Sequence, residues 1–174
     1  MGIGSIHYGE IYTRYGTSAT GTYSHLPESM RNSLRFAKKG DVVIAATGEN
    51  VENLCKAVAW LGDEEVAVHD DCWIFTSDAD PRYVVHALLT SNVATQKKRL
   101  VSNGKVSRIS GKNLASVSIP VPLLEEQRRI VAILDKFDAL VNDISRGLPA
   151  EIKARRKQYA YYRDKLLSFK EKVA

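Results

Sequence analysis

Pro122 divides this chain into two textures, and the division limits what the chain can fold into. Ahead of it, SVSIPVP (Ser116–Pro122) is extended, because a residue preceding proline is driven out of the helical region. Beyond it, Leu123 to Ser145 contains no Gly or Pro and begins with Glu125 and Glu126, acids that suit a helix N-terminus. Ile130, Leu134, Phe137, Val141 and Ile144 follow at spacings of 4, 3, 4 and 3, a heptad seam flanked by Ile133 and Leu140. Arg146-Gly147-Leu148-Pro149 then ends one helix and starts another, Gly being suited to the end and Pro to the first turn. In the second helix Ile152, Tyr159, Leu166 and Val173 recur every seven residues, with Tyr162 and Phe169 between them. The pattern predicts a helical dimerisation region over 120–174, each helix ~33–35 Å long. Two such stripes could close into a hairpin on the rest of the chain. The scarcity of other surface to bury them favours helices that project and pair with other helices.

Residues 1–119 are mixed and strand-rich. VVIAAT (Val42–Thr47) follows a Gly40-Asp41 turn signal and reads as a buried strand. Lys56–Gly62 and Glu65–Asp70 read as two strands joined through an acidic Gly-Asp turn, and Cys72–Ser77 as a further strand. Asp80 and Pro81 form a helix start, and Val84, Val85, Leu88, Leu89 and Val93 carry helical spacing, so one helix is predicted from Pro81 to about Leu100. The fold class is therefore α/β (α+β): a globular domain followed by a long two-helix, coiled-coil-like region. The length suits one such domain with an appendage. No apolar run approaches the ~20 residues a membrane helix needs, and the N-terminus lacks the pattern of a secretory signal, so a cytoplasmic protein is expected.

Chemistry-bearing motifs are few. Cys55 and Cys72 sit in hydrophobic company without metal-ligand spacing, which makes buried thiols the expectation over a Cys72–His69 nucleophile. His7, His25, His69 and His86 show no metal spacing either. The chain has no Gly-rich phosphate loop, no HExxH and no paired carboxylates at a catalytic spacing, so an enzyme is not expected and no cofactor is assigned. Charge says more. Residues 62–80 carry seven acids and no Lys or Arg, whereas 97–112 carry Lys97, Lys98, Arg99, Lys105, Arg108 and Lys112 and no acid. A basic stretch set apart from the acids, in a chain of net charge +5, is a candidate phosphate-contacting edge. Ser107 belongs with that group. YTRYGT (Tyr12–Thr17) adds Tyr12, Arg14 and Tyr15 in a glycine-bounded loop, where Arg14 could bridge a guanine edge and the tyrosines could stack or instead pack internally.

The segment SIPVPLLEEQRRIVAILDKFDALV (Ser118–Val141) resembles the segment that follows a target-recognition domain in specificity subunits of bacterial type I restriction-modification systems. Ile119–Pro122, Glu126-Gln127 and Ile130–Asp135 carry the likeness, and Gly147–Phe169 continues it. Upstream, Gly104–Pro122 resembles the exit from the recognition domain, and Gly9–Gly16 and Gly40–Glu49 its entry and central strand. The resemblance implies a non-catalytic subunit that reads one half of a split double-stranded DNA site. Its paired helices would dock adenine methyltransferase (modification) subunits. S-adenosylmethionine and ATP would belong to those partners and to the restriction subunit. Family members usually hold two recognition domains, so a half-length or truncated subunit is expected. Such a chain would restore two-fold recognition as a homodimer through Ile130, Leu134, Phe137, Val141, Ile144, Ile152, Tyr159 and Leu166. The rival reading is a non-DNA protein-interaction module with a dimerising helical hairpin.

Overall fold

A computed structural model describes residues 2–49, 54–101, 107–143 and 149–169, without the side chains of 139–143 and 149–150. In chain order the elements are β1 (Ile3–Ile6), α1 (Tyr8–Thr13), β2 (Ser18–Ala19), β3 (Ser24–Leu26), a 3-10 turn (Glu28–Ser33) and β4 (Arg35–Ala37). Then come β5 (Val42–Ala45), β6 (Thr47–Gly48), β7 (Ala57–Trp60), β8 (Val66–Val68) and β9 (Cys72–Phe75). The chain continues through α2 (Pro81–Leu88), α3 (Ser91–Leu100), β10 (Ser107–Arg108), α4 (Gly111–Ala115), α5 (Leu124–Asp143) and α6 (Pro149–Leu166).

Among the described residues these strands form two four-stranded sheets and one short ribbon, ordered β3-β1-β8-β4, β2-β7-β5-β9 and β10-β6. The second sheet is buried on both faces, and the two-residue period of its strands divides the core. Val43 and Ala45 of β5 and Val58 and Trp60 of β7 join Ile6, Ile11, Val66 and Val68 from β1, α1 and β8. Val42, Ile44, Ala57 and Ala59 face the other way, onto Val84, Val85 and Leu88 of α2. The strand predictions over Val42–Thr47, Lys56–Gly62, Glu65–Asp70 and Cys72–Ser77 each meet a strand. The acidic turn does not close a hairpin, however: β7 lies in one sheet and β8 in the other, so Gly62-Asp63 carries the chain between layers. Glycine is required there, since a Cβ on Gly62 would lie 2.4 Å from the Trp60 ring.

The single helix predicted from Pro81 to Leu100 is two helices. Asp80 caps α2, accepting from the Arg82 and Tyr83 amides, and Leu89 closes it. Thr90 then takes an extended conformation, its hydroxyl donating to Ala87 O at 2.8 Å and capping α3 at the Val93 amide. A threonine cap in an otherwise helical spacing broke a pattern that hydrophobic periodicity alone could not resolve.

The seam on α5 meets its own chain. Ile130, Val131 and Leu134 pack with Tyr83 and Ala87 of α2 and Leu167 beyond α6, and both Ile130 and Leu134 are 0% exposed. Phe137 stacks on Tyr159 and Tyr162 of α6, with ring centroids 6.4 and 5.7 Å apart. Tyr159 and Leu166 are partly buried against the same cluster, and Ile152 is half-buried. The expectation of projecting helices that pair through Ile130 and Leu134 is thereby corrected: α5 and α6 form a hairpin whose stripe is covered by α2. The pattern had shown the stripe but not the second apolar face of α2 that receives it. The Val141 side chain, Ile144 and Val173 lie outside the described residues.

Polar groups fix the same junction. The Tyr83 hydroxyl donates to Pro120 O at 2.7 Å. Buried Gln127 accepts from the Asp80 amide at 2.8 Å and donates to Pro122 O at 2.7 Å, which ties α5 to the start of α2. His86 is wholly buried, its Nε2 3.4 Å from Asp135 Oδ1 and its Nδ1 3.4 Å from the Tyr159 hydroxyl. Arg82 donates to the other Asp135 oxygen at 3.1 Å. Burial holds His86 below its ordinary value, against the opposing hydrogen bond and charge of Asp135 and the charge of Asp138, with Arg163 acting in the same direction as burial.

Two outcomes follow from this packing. Leu134→Ala is expected to cost about 2–5 kcal/mol in urea unfolding of the whole chain; a loss under about 1 kcal/mol would place that side chain on the surface. Above pH 6.5 His86 is neutral whether the chain is folded or not, while below it the unfolded chain gains a proton that the buried ring resists. Between pH 6.5 and 5.5 the parent should therefore lose more stability than His86→Gln, by up to about 1.4 kcal/mol per pH unit. Equal losses would contradict the buried neutral ring.

Candidate nucleic-acid interface

One residue organises the surface that carries the basic segment. Ala46, between β5 and β6, donates its amide to Asp71 O at 2.8 Å and accepts from the Ile109 amide at 3.0 Å. This brings the turn before β9 and the strand β10 to either side of it. β10 pairs antiparallel with β6, Arg108 opposite Thr47 and Ser107 opposite Gly48. Trp73 of β9 donates its indole N–H to Ile109 O at 3.2 Å, and its ring would lie 3.2 Å from a Cβ on Gly111, so α4 starts close against the sheet. Ser110 caps α4 at the Asn113 amide. The Asn113 side chain in turn donates to Leu100 O at 2.6 Å, joining α4 to the end of α3.

On this frame the basic residues separate. Lys98 and Arg99 at the end of α3, Arg108 on β10 and Lys112 on α4 are exposed. Lys97 is not: it is 4% exposed, and its ammonium donates to Leu54 O at 2.5 Å. Burial holds it below the ordinary lysine value. Helical spacing turns it inward while its neighbours face solvent, so we remove it from the phosphate-contacting set. Ser107 is also buried, within the β10–β6 ribbon. Lys105 lies outside the described residues.

The segregation of acids from bases along the sequence does not persist in space. Asp71 pairs with Arg108, Asp70 lies 3.7 Å from Arg35, Asp63 accepts from Lys39 at 2.6 Å and Glu65 from Arg31 at 3.3 Å. Nothing in the local sequence marks Asp71, because its partner stands 37 positions away.

The Tyr12–Thr17 reading also changes. Tyr12 belongs to α1, and its hydroxyl donates to Thr47 O at 2.7 Å, supporting the ribbon from below. Burial raises its pKa. Tyr15 is 6% exposed in the first core cluster, and its hydroxyl accepts from the Tyr23 amide at 3.3 Å. Both rings are structural: α1 carries Tyr12 against the first core cluster, and Tyr15, just past the end of the helix, is buried within it. Arg14 ends α1 and is exposed, its guanidinium 5.3 Å from the centre of the Tyr23 ring. Cys72 is wholly buried and burial pushes its thiol up to about 12, while Cys55 is pushed up to about 11, so neither is an available thiolate at neutral pH. Among the described residues no group of three or more His, Cys, Asp or Glu could hold a metal ion.

Comparison with known proteins bears on what this surface serves. Residues 8–154 match the family described as the type I restriction modification DNA specificity domain. The chain belongs to that family. This specificity domain is 35% identical over 146 residues to a type I restriction enzyme specificity subunit of Haemophilus influenzae, covering 84% of the chain and 36% of that relative. It is 48% identical over 88 residues to a type I restriction enzyme specificity subunit of Escherichia coli, covering 51% of the chain and 22% of the relative. It thus spans about a third or less of the length of these two relatives. A specificity component of such a system is not an enzyme.

Amine labelling of the native domain should modify Lys98 and Lys112 and spare Lys97 until denaturant is added. Reaction at Lys97 as fast as at Lys98 would return it to the surface.

Proposed function

We propose that this chain recognises double-stranded DNA sequence for a type I restriction-modification complex, reading one half of a split target. The observation that supports this best is the joined surface of α3, α4 and β10, where Lys98, Arg99, Lys112 and Arg108 stand exposed on a chain of the DNA specificity family. Lys98, Arg99 and Lys112 are point or forked donors on helix ends and suit phosphate contacts, which orient a protein on the duplex without reading it. Lys105 belongs to the same sequence segment and is included. Arg14, exposed beside Tyr23, remains a candidate for a base edge.

The α5–α6 hairpin docks the adenine methyltransferase (modification) subunits, and the restriction subunit joins through them. S-adenosylmethionine and ATP are bound by those partners and not by this chain. Two copies of the chain complete the split target under two-fold symmetry, which makes it interrupted and palindromic. Because Ile130 and Leu134 are covered, pairing uses the outer faces of the hairpin, where Tyr161 is exposed. The work is cytoplasmic, where the DNA is; among the described residues no helix is long and apolar enough to cross a membrane.

Duplex binding measured across a salt series tests the reading. Four to five phosphate contacts predict a log–log slope of about −4, and Lys112→Ala or Lys98→Ala should each weaken binding to all sequences alike and reduce the slope by about 1. Binding that is negligible and flat with salt would leave the protein-interaction module as the better account.

A further inference from the structure

Arg108 is both anchored and exposed. Its guanidinium forms an ion pair with Asp71, yet its side chain keeps 62% of its surface open, against 27% for Asp71. The two ends of this pair hang from one residue: Ala46 bonds the Asp71 carbonyl on one side and the Ile109 amide, next to Arg108, on the other. Asp71 is fixed further by its own amide, which donates to His69 Nδ1 at 3.1 Å, and by the Cys72 amide bonded to His69 O at 3.0 Å. Arg108 is fixed by its ladder pairing with Thr47, whose carbonyl also receives the Tyr12 hydroxyl. Asp71 is therefore anchored through its backbone to the same frame that carries β10, and its carboxylate meets the guanidinium from there.

A guanidinium that binds phosphate gains from its whole charge in the field of the duplex, and a carboxylate in direct contact works against this. It cancels that charge locally and repels the phosphate it would meet. A base edge sets different requirements. Guanine presents two neutral acceptors at fixed spacing in the major groove, and binding them rewards a guanidinium plane already held in one orientation. We infer that Arg108 is a base-reading side chain for guanine and that Asp71 is its positioning residue, holding the guanidinium while discouraging phosphate contacts at that point. The inference rests on the DNA reading above and goes beyond it by assigning one side chain to sequence rather than to backbone. It separates Arg108 from Lys98, Arg99 and Lys112, with which its charge and sequence position had grouped it.

Selection from randomised duplexes, followed by competition binding at low and moderate salt, tests this on the full chain. Parent, Arg108→Ala, Arg108→Lys, Asp71→Asn, Asp71→Glu and Lys112→Ala are compared, with circular dichroism confirming that each remains folded. The parent should prefer G at one position by on the order of 10- to 100-fold. Arg108→Ala and Arg108→Lys should lose that preference while keeping the parent's salt slope and its affinity for unrelated duplex. Asp71→Asn should blunt the same preference and raise affinity for unrelated duplex, and Asp71→Glu should retain part of the preference. Lys112→Ala should leave the preferred sequence unchanged. Equal weakening at every sequence in Arg108→Ala, with a slope smaller by about 1, would make Arg108 a phosphate contact and overturn the assignment. An unaltered preference in Asp71→Asn would remove the positioning role. A parent whose sequence preference includes no Arg108-dependent G would overturn this inference alone, whereas a parent with no sequence preference or no salt-dependent binding would overturn the DNA reading with it.

Discussion

A helix buried on both faces is the constraint on which this molecule depends. From Tyr83 to Leu88 every residue of α2 is inside. Val84, Val85 and Leu88 close the outer face of the second sheet, and Tyr83 and Ala87 receive Ile130, Val131 and Leu134. A helix in that position cannot tilt or slide without opening two interfaces, so the strands and the α5–α6 hairpin are held in one register. The polar contacts at the junction act in the same direction. Gln127 ties α5 to the capping residue of α2, Tyr83 ties α2 to the proline-bounded strand, and the His86–Asp135–Arg82 cluster fills the seam between the helices. Buried groups of this kind contribute through satisfied hydrogen bonds, and breaking one partner leaves another uncompensated.

The same sheet that packs on α2 supports the exposed basic surface at its other end. β5 runs into Ala46, and the backbone there holds both the turn before β9 and the strand β10. A short strand braced by a sheet places its side chains more tightly than a long loop would. The braces are the Tyr12 hydroxyl below the ribbon and the Trp73 indole beside it. The hairpin and the exposed basic surface are thus carried by one scaffold.

Much of the scaffold was legible in the sequence. The apolar runs Val42–Ala45 and Ala57–Trp60 and the Asp80-Pro81 start each had a local cause, and each is present. The strands β1, β3 and β4 were not seen, because IGSI, SHL and RFA are short and mix Gly, Ser and charge with few apolar residues. They become strands by pairing with β8 and with each other, a non-local effect. The heptad seam was read correctly as an apolar stripe and wrongly as to its partner, since periodicity names a face and not what covers it. At the candidate site the exposed Lys98, Arg99, Arg108 and Lys112 were legible from charge, whereas the inward turn of Lys97 and the Asp71 partner depended on packing between distant segments.

Native-state hydrogen exchange across a series of low urea concentrations tests the shared role of α2 most directly. If α2 is the layer common to sheet and hairpin, the amides of Val84–Leu88 and of Ile130–Leu134 will open together, with the same free energy and the same urea dependence. Fast exchange over Ile130–Leu134 while Val84–Leu88 and β5 stay protected would contradict it, and would make the hairpin an independent arm.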